Sequence, residues 1–155
     1  MKIAVASDHA GFALKEHVRK RLEAAGHEVA DFGTHSNEPV DYPEYGQRVA
    51  RAVASGECER GVVVCGAGLG ISMAANRVRG ARAARCTSEY DAEISRRHND
   101  ANILALGGRV LTETIADRIL DVFLSTPYEG GRHQRRVEGL DRDWPASGGE
   151  GGRER

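Results

Sequence analysis

Cysteine is scarce in this sequence, and its three cysteines are not arranged as ligands or as disulfide partners. Cys58, Cys65 and Cys86 are an odd number among 155 residues, and no two of them form a Cys-x-x-Cys pair. This pattern favours neither a disulfide framework nor a zinc site. We therefore expect no metal, and a reducing, cytoplasmic compartment.

Long apolar runs and an excess of one charge are also lacking. The apolar segment 3–6 that follows Met1 and Lys2 is too short for a signal peptide, and no run approaches the length of a membrane span. Lysine and arginine total 22 against 23 acidic residues, which gives a formal net charge of -1. This balance gives no general attraction to nucleic acid or acidic lipid, so we expect neither as a partner.

The apolar segments that are present are short and alternate with amphipathic segments of helix length. Strands are predicted at 3–6, 28–32, 61–65, 81–85 and 103–106, and helices at 12–25, 45–54, 71–76, 89–97 and 113–124. This alternation predicts an α/β fold with a five-stranded parallel sheet covered by helices on both faces. A basic segment, 132–140, is predicted to form a C-terminal helix. One domain is expected over 1–144, followed by a flexible glycine-rich tail at 145–155.

The segment 61–70, with the sequence GVVVCGAGLG, is the most informative part of the chain. Glycines after a strand let backbone N–H groups converge on an anion, and the N-terminus of the following helix favours the same charge. Cys65 would then lie beside an anion site and could act as a base or nucleophile. The alternative is a buried cysteine that closes a strand, with glycines needed only for a tight turn.

Polar side chains collect near the ends of other predicted strands. Asp8 and His9 follow the first strand, and His98 and Asn99 precede the fifth. Asp8 could instead cap the first helix, and either histidine could be a solvated surface residue. Because the first and third strands end at one edge of a doubly wound sheet, we expect a carboxylate, an imidazole and the Cys65 thiol to converge there.

Arginines form a second candidate group. Arg109 follows two glycines just beyond the fifth strand, while Arg132 and Arg136 are four residues apart and follow Gly130 and Gly131. Spacing of four residues predicts that both side chains project from one helical face, where guanidinium groups can bind phosphate bidentately. The alternative is a solvated basic face.

Six sequence blocks together carry a family resemblance. They are 7–15 (SDHAGFALK), 41–43 (DYP), 65–72 (CGAGLGIS), 74–77 (AANR), 97–102 (RHNDAN) and 130–137 (GGRHQRRV). In this order and spacing, from about Lys2 to Leu140, they resemble the sugar-phosphate isomerase family that contains ribose-5-phosphate isomerases of type B and the galactose-6-phosphate isomerase subunits.

The resemblance implies a Rossmann-like, three-layer αβα sandwich without cofactor or metal. It also implies a homodimer or dimer of dimers whose shared sites interconvert D-ribose 5-phosphate and D-ribulose 5-phosphate, a step of the pentose phosphate pathway. Sugar phosphate would then be the small-molecule partner.

The resemblance also implies roles for individual residues. Cys65 would be the catalytic base, His98 would open the furanose ring with Asp8 beside it, and Asn99 would hold sugar hydroxyls. The backbone of the turn would bind the enediolate. The implied substrate contacts also include His9, Tyr42, Gly66, Ala67, Gly68, Leu69, Gly70, Arg109, Arg132 and Arg136.

Ala67 departs from the family pattern, which usually has threonine or serine at this position. The missing hydroxyl leaves two further interpretations open, an isomerase of a tetrose or hexose phosphate and a catalytically inactive phosphosugar-binding subunit. A nucleotide-binding oxidoreductase is disfavoured, because the first strand leads into Asp8-His9-Ala10-Gly11 and not into Gly-x-Gly-x-x-Gly.

Overall fold

The computed structural model describes residues 1–143, and the tail predicted for 145–155 lies outside this range. Its strands are β1 (Lys2–Ser7), β2 (Glu28–Asp31), β3 (Arg60–Cys65), β4 (Ala83–Arg85) and β5 (Ile103–Gly107). Its α-helices are α1 (Phe12–Ala24), α2 (Tyr42–Ala54), α3 (Leu69–Ala75), α4 (Glu89–Asn99), α5 (Glu113–Ser125) and α6 (Gln134–Glu138). None of the helices in the described range is both long and apolar enough to cross a membrane.

The five strands form one parallel sheet in the order β2-β1-β3-β5-β4. The reversal of strand order between β1 and β3 is typical of doubly wound folds, in which ligands bind at the carboxyl ends of the strands. The structure thus confirms the predicted α/β sandwich with its five-stranded parallel sheet.

Strand side chains alternate between two apolar cores, one on each face of the sheet. Val62 and Val64 point into the core formed with α1, α4 and α5, whereas Val63 and Cys65 point into the core formed with α2 and α3. This alternation is the ordinary two-residue period of a strand buried on both faces. It directs the Cys65 side chain toward the layer that contains α3.

Several element boundaries differ from the predicted ones for local reasons. The helix α2 begins at Tyr42 because Pro43 occupies its first turn, where a missing N–H costs nothing. The strand β4 is shorter than predicted, and the Asn76 side chain binds both the N–H and the C=O of Ala83 at 2.7 and 2.9 Å. The predicted C-terminal helix is a short α6 between two 3₁₀ turns.

A fully buried lysine fixes the loop after β2. Lys15 Nζ donates to both carboxylate oxygens of Asp31, at 3.0 and 2.8 Å, and to the Thr34 carbonyl at 2.8 Å. The same loop is bonded to the end of β1, since Ser7 N donates to Gly33 O at 2.7 Å and Thr34 N to Ser7 O at 2.8 Å. Lys15 therefore supports the strand end from which Asp8 extends.

Candidate active site

The carboxyl ends of β1, β3 and β5 meet at the centre of the sheet. Cys65 is paired with Gly107. Beyond the strands, Asp8 N donates to Val64 O at 3.2 Å and Gly108 N donates to Cys65 O at 2.8 Å. The first and third strands therefore end at one edge, and Asp8 and Cys65 both lie there.

The glycine turn after β3 holds the Cys65 thiol. Gly68 has a φ of +76°, and a Cβ atom at this position would lie 2.9 Å from the Leu106 carbonyl carbon. Its N–H donates to Cys65 Sγ at 3.2 Å. Cys65 is only 5% exposed and ends β3, as the alternative interpretation of a buried cysteine that closes a strand expects. The hydrogen bond from Gly68 fixes the Cys65 sulfur against the backbone of the glycine turn.

Asp8 caps the 3₁₀ turn His9–Gly11 that leads into α1. Its Oδ1 accepts a hydrogen bond from Gly11 N at 3.0 Å, which confirms the capping interpretation. A Cβ atom at Gly11 would lie 2.5 Å from Val64 O. Only glycine at this position therefore allows the turn to approach β3 so closely. Capping thus fixes the Asp8 carboxylate beside the strand that carries Cys65.

Three further side chains extend from the segments around the glycine turn. The Tyr42 ring covers Gly70, where a Cβ atom would lie 2.5 Å from the ring carbon Cζ. Arg109 Nη1 is 3.5 Å from the corresponding Cβ position at Gly66. His9 Nδ1 lies 3.2 Å from a backbone carbonyl in the loop before α2. The glycine turn is thus flanked by a phenol and a guanidinium, both suited to binding a polar, anionic ligand.

His98 and Asn99 lie at the opposite edge of the sheet. They end α4, which precedes β5, and β5 ends beside Cys65. At roughly 3.3 Å per residue, the length of β5 separates the two edges by about 13 Å. Within one subunit, therefore, His98 and Asn99 do not join Asp8 and Cys65.

His98 stacks on a buried second histidine. The rings of His98 and His133 are 4.2 Å apart and nearly parallel, at 13°. Glu129 carboxylate oxygens lie 3.9 Å from His98 Nε2 and 3.7 Å from His133 Nε2. A hydrogen bond from Arg97 lowers the pKa of Glu129. Burial, with the neighbouring charges of His98 and Arg132, lowers the pKa of His133 and favours its neutral form.

His98, Glu129 and His133 have the spacing of a metal site, because their candidate ligand atoms all lie within 4.8 Å of one another. Arg97 nevertheless binds the Glu129 carboxylate at 3.0 Å, and Arg132 Nε faces His133 Nε2 at 3.3 Å. Two guanidinium cations on the candidate ligands disfavour a divalent cation and suit an anion.

Arg132 and Arg136 are both exposed, but they do not share one α-helix as predicted. Arg132 lies in the 3₁₀ turn Gly131–His133, and the α-helical turn that carries Arg136 begins only at Gln134. Gly130 and Gly131 have positive φ values, of +65° and +56°, which delay the α-helix. The expectation that both arginines project from one face assumed the 3.6 residues per turn of an α-helix. The 3₁₀ turn has three residues per turn, so a spacing of four residues no longer aligns the two side chains.

Sequence reasoning missed two charged groups at these edges. Arg85, the last residue of β4, donates from Nε to the Ala67 carbonyl at 3.1 Å. Glu129, described above, bridges the two stacked histidines. Neither belongs to a motif with characteristic spacing. Only their positions, at the end of a predicted strand and before a glycine pair, could have drawn attention to them.

Comparison with known proteins gives consistent similarities. A family model described as Ribose/Galactose Isomerase matches residues 3–140. The chain is 50% identical over 139 residues to ribose-5-phosphate isomerase B of Escherichia coli K12, covering 90% of this chain and 93% of that protein. It resembles the structure of ribose-5-phosphate isomerase B from Clostridium thermocellum, with a TM-score of 0.90 and 56% identity over 91% of this chain and 95% of that one.

A further similar structure contains a bound sugar phosphate. It is ribose-5-phosphate isomerase B from Mycoplasma genitalium with bound ribulose-5-phosphate, at a TM-score of 0.86 and 38% identity, and the match covers 90% of this chain and 93% of that one.

Proposed function

This chain belongs to the ribose/galactose isomerase family, and from that premise we propose that it interconverts D-ribose 5-phosphate and D-ribulose 5-phosphate as an aldose–ketose isomerase. The observation that carries the proposal is the Cys65 thiol, which accepts a hydrogen bond from Gly68 N at 3.2 Å at the sheet edge shared with Asp8. Relatives that act on this sugar phosphate support the choice of substrate.

We assign proton transfer to Cys65. The thiolate removes the proton from C2 of the open-chain aldose, and the electron pair moves onto the C1 carbonyl oxygen to form an enediolate. The proton of the C2 hydroxyl moves to the C1 oxygen, and Cys65 returns its proton to C1, which gives the ketose and restores the thiolate. Backbone N–H groups of residues 66–70 would bind the enediolate oxygen, except that of Gly68, which binds Cys65 Sγ. Each such donor typically stabilises the developing charge by about 3 to 4 kcal/mol.

Ring opening must come first, because the aldose is mainly a closed furanose. His98 would donate a proton to the ring oxygen as the C1–O bond breaks, while Asp8 accepts the proton of the C1 hydroxyl. Asn99 would hold the sugar hydroxyls. Arg109, Arg132 and Arg136 would bind the phosphate, for which guanidinium groups have the matching geometry.

These roles require two subunits, and we propose a homodimer with shared sites. The support is the separation of His98 from Cys65 by the length of β5 within one subunit. Exposed apolar side chains beside the glycine turn also suit a second copy. Tyr42, Leu69 and Met73 are 41%, 48% and 66% exposed.

Mixing two inactive variants tests the shared site. Cys65→Ala and His98→Ala subunits, unfolded together and refolded in equal amounts, should regain ~25% of wild-type activity, because half the dimers are mixed and each mixed dimer has one intact site. Each variant refolded alone is the control. Failure of the mixture to regain activity, with mixed dimers shown by mass spectrometry, would contradict sites built from two chains.

Ala67 leaves room for a different sugar phosphate, so substrate choice needs its own test. Purified protein is incubated with four-, five- and six-carbon aldose and ketose phosphates, and interconversion is followed by NMR. Ribose 5-phosphate should be converted fastest, and Ala67→Thr should raise its turnover by supplying a hydroxyl for proton transfer. Faster conversion of a tetrose or hexose phosphate, or of none, would overturn this assignment.

We also propose that the enzyme acts in the cytoplasm. The three cysteines are buried free thiols, which suit a reducing compartment.

A further inference from the structure

Arg85 binds the glycine turn from the edge strand of the sheet. It ends β4, pairs in register with Ala105 of β5, and donates from Nε to the Ala67 carbonyl at 3.1 Å. Within residues 1–143, the part of the chain that the structure describes, Arg85 forms no ion pair with a carboxylate. Its positive charge is therefore directed at a backbone carbonyl and not at an acidic side chain.

The peptide group that Arg85 binds is the one that donates to the catalytic thiol. The C=O of Ala67 and the N–H of Gly68 belong to the same planar unit and point in opposite directions. Gly68 N–H donates to Cys65 Sγ at 3.2 Å. A cationic donor on the carbonyl polarises the peptide and strengthens the N–H as a donor, since hydrogen bonds in a chain reinforce one another.

The same peptide is packed tightly against β5. A Cβ atom at Gly107 would lie 2.9 Å from the Ala67 carbonyl carbon, and one at Gly68 would lie 2.9 Å from the Leu106 carbonyl carbon. This close packing limits movement of the peptide, whose N–H is directed toward the sulfur. The hydrogen bond from Arg85 stabilises the orientation that serves Cys65.

We infer that Arg85 is a positioning residue for the Cys65 thiolate, acting through the Ala67–Gly68 peptide. This inference rests on the proposed role of Cys65 as the base, but it concerns a property that can be measured without substrate. The other charged or titratable side chains that the structure describes at this sheet edge are Asp8, His9, Tyr42 and Arg109. All four are unchanged in the variants tested.

The test is the pH profile of Cys65 ionisation in Arg85→Met, which keeps the apolar stem and removes the donor. Ionisation is followed as the ultraviolet absorbance of the thiolate, taken as the difference between each protein and its Cys65→Ala counterpart. The midpoint of Cys65 ionisation should move up by about half a pH unit. At a pH below both midpoints, the variant would then contain roughly threefold less thiolate than the wild type. Arg85→Lys keeps the charge and should restore part of the shift.

Arg118→Met is the matched control, because it removes one arginine from an exposed position on α5 where the side chain is 67% exposed. It should leave the midpoint unchanged. A folded Arg85→Met protein with the wild-type midpoint would overturn the inference. If Arg85→Met does not fold, Arg85→Gln, which keeps a neutral donor, should shift the midpoint in the same direction, and an unchanged midpoint there is equally decisive.

Isomerase assays separate this inference from the proposed function. If the midpoint shifts in Arg85→Met but the wild-type protein converts no ribose 5-phosphate, the role of Arg85 stands and the proposed substrate is wrong. An unchanged midpoint with lost turnover would mean that Arg85 affects turnover in another way, and the positioning role would be wrong.

Discussion

Replacing Lys15 with methionine should destabilise the protein by about 3 kcal/mol, the low end of the range for breaking a buried ion pair. The side chain of Lys15 is 0% exposed and that of its partner Asp31 19% exposed. The low end applies because Asp31 would keep its hydrogen bond from Gly33 N at 2.9 Å. In a domain of this size, 3 kcal/mol lowers the melting temperature by about 6 to 12 °C.

Urea unfolding at one fixed protein concentration measures the loss, since dimerisation would make stability depend on concentration. Lys20→Met on the exposed face of the same helix is the matched control and should cost less than about 0.5 kcal/mol. Adding Asp31→Asn to Lys15→Met removes the unpaired charge, so the double variant should lose less than the sum of the two single losses. A cost below about 1 kcal/mol for Lys15→Met would refute the reasoning.

Three further predictions concern the site. Iodoacetamide should label Cys65 and not Cys86, because burial raises the pKa of the Cys86 thiol to about 12, and ribose 5-phosphate should slow the labelling; peptide mass spectrometry shows which thiol reacts. Arg136→Ala should raise KM for ribose 5-phosphate by at least about tenfold with a smaller change in kcat, as expected for a lost phosphate contact, and equal kcat/KM for ribose and ribose 5-phosphate in the wild type would contradict the assignment. Because the folded state lowers the pKa of His133 below 6.5, the folded protein resists protonation there and should lose stability as pH falls through 6.5. His133→Phe keeps a stacked ring without a titrating group, so its melting temperature should fall less between neutral pH and about pH 5.5.

The parallel sheet could be predicted from the sequence because short segments of four or five mostly apolar residues alternate with segments of helix length. Cys65 and Asp8 could be predicted to lie at one edge because the carboxyl ends of parallel strands lie at the same edge of a sheet. Element ends were harder. The 3₁₀ turn that separates Arg132 from α6 depends on positive φ values at Gly130 and Gly131, which composition suggests but does not require.

Contacts between distant segments could not be predicted from local patterns. The bond from Arg85 to the Ala67 carbonyl depends on the packing of β4 beside β5, and the stack of His98 on His133 joins residues 35 positions apart. Lys15 likewise lies among the apolar positions of α1, where its burial is explained only by Asp31 across the loop. Each contact belongs to tertiary structure, which periodicity does not encode.

Proton exchange with solvent tests most directly the claim that Cys65 transfers a substrate proton through an enediolate. Ribose 5-phosphate is incubated with the protein in deuterium oxide, and both sugars are examined by NMR over many turnovers. The wild type should form ribulose 5-phosphate and introduce deuterium at C1 of the ketose, and Cys65→Ala should do neither at a detectable rate. Exchange at the wild-type rate by Cys65→Ala, or interconversion by the wild type with no deuterium in either sugar, would contradict the account.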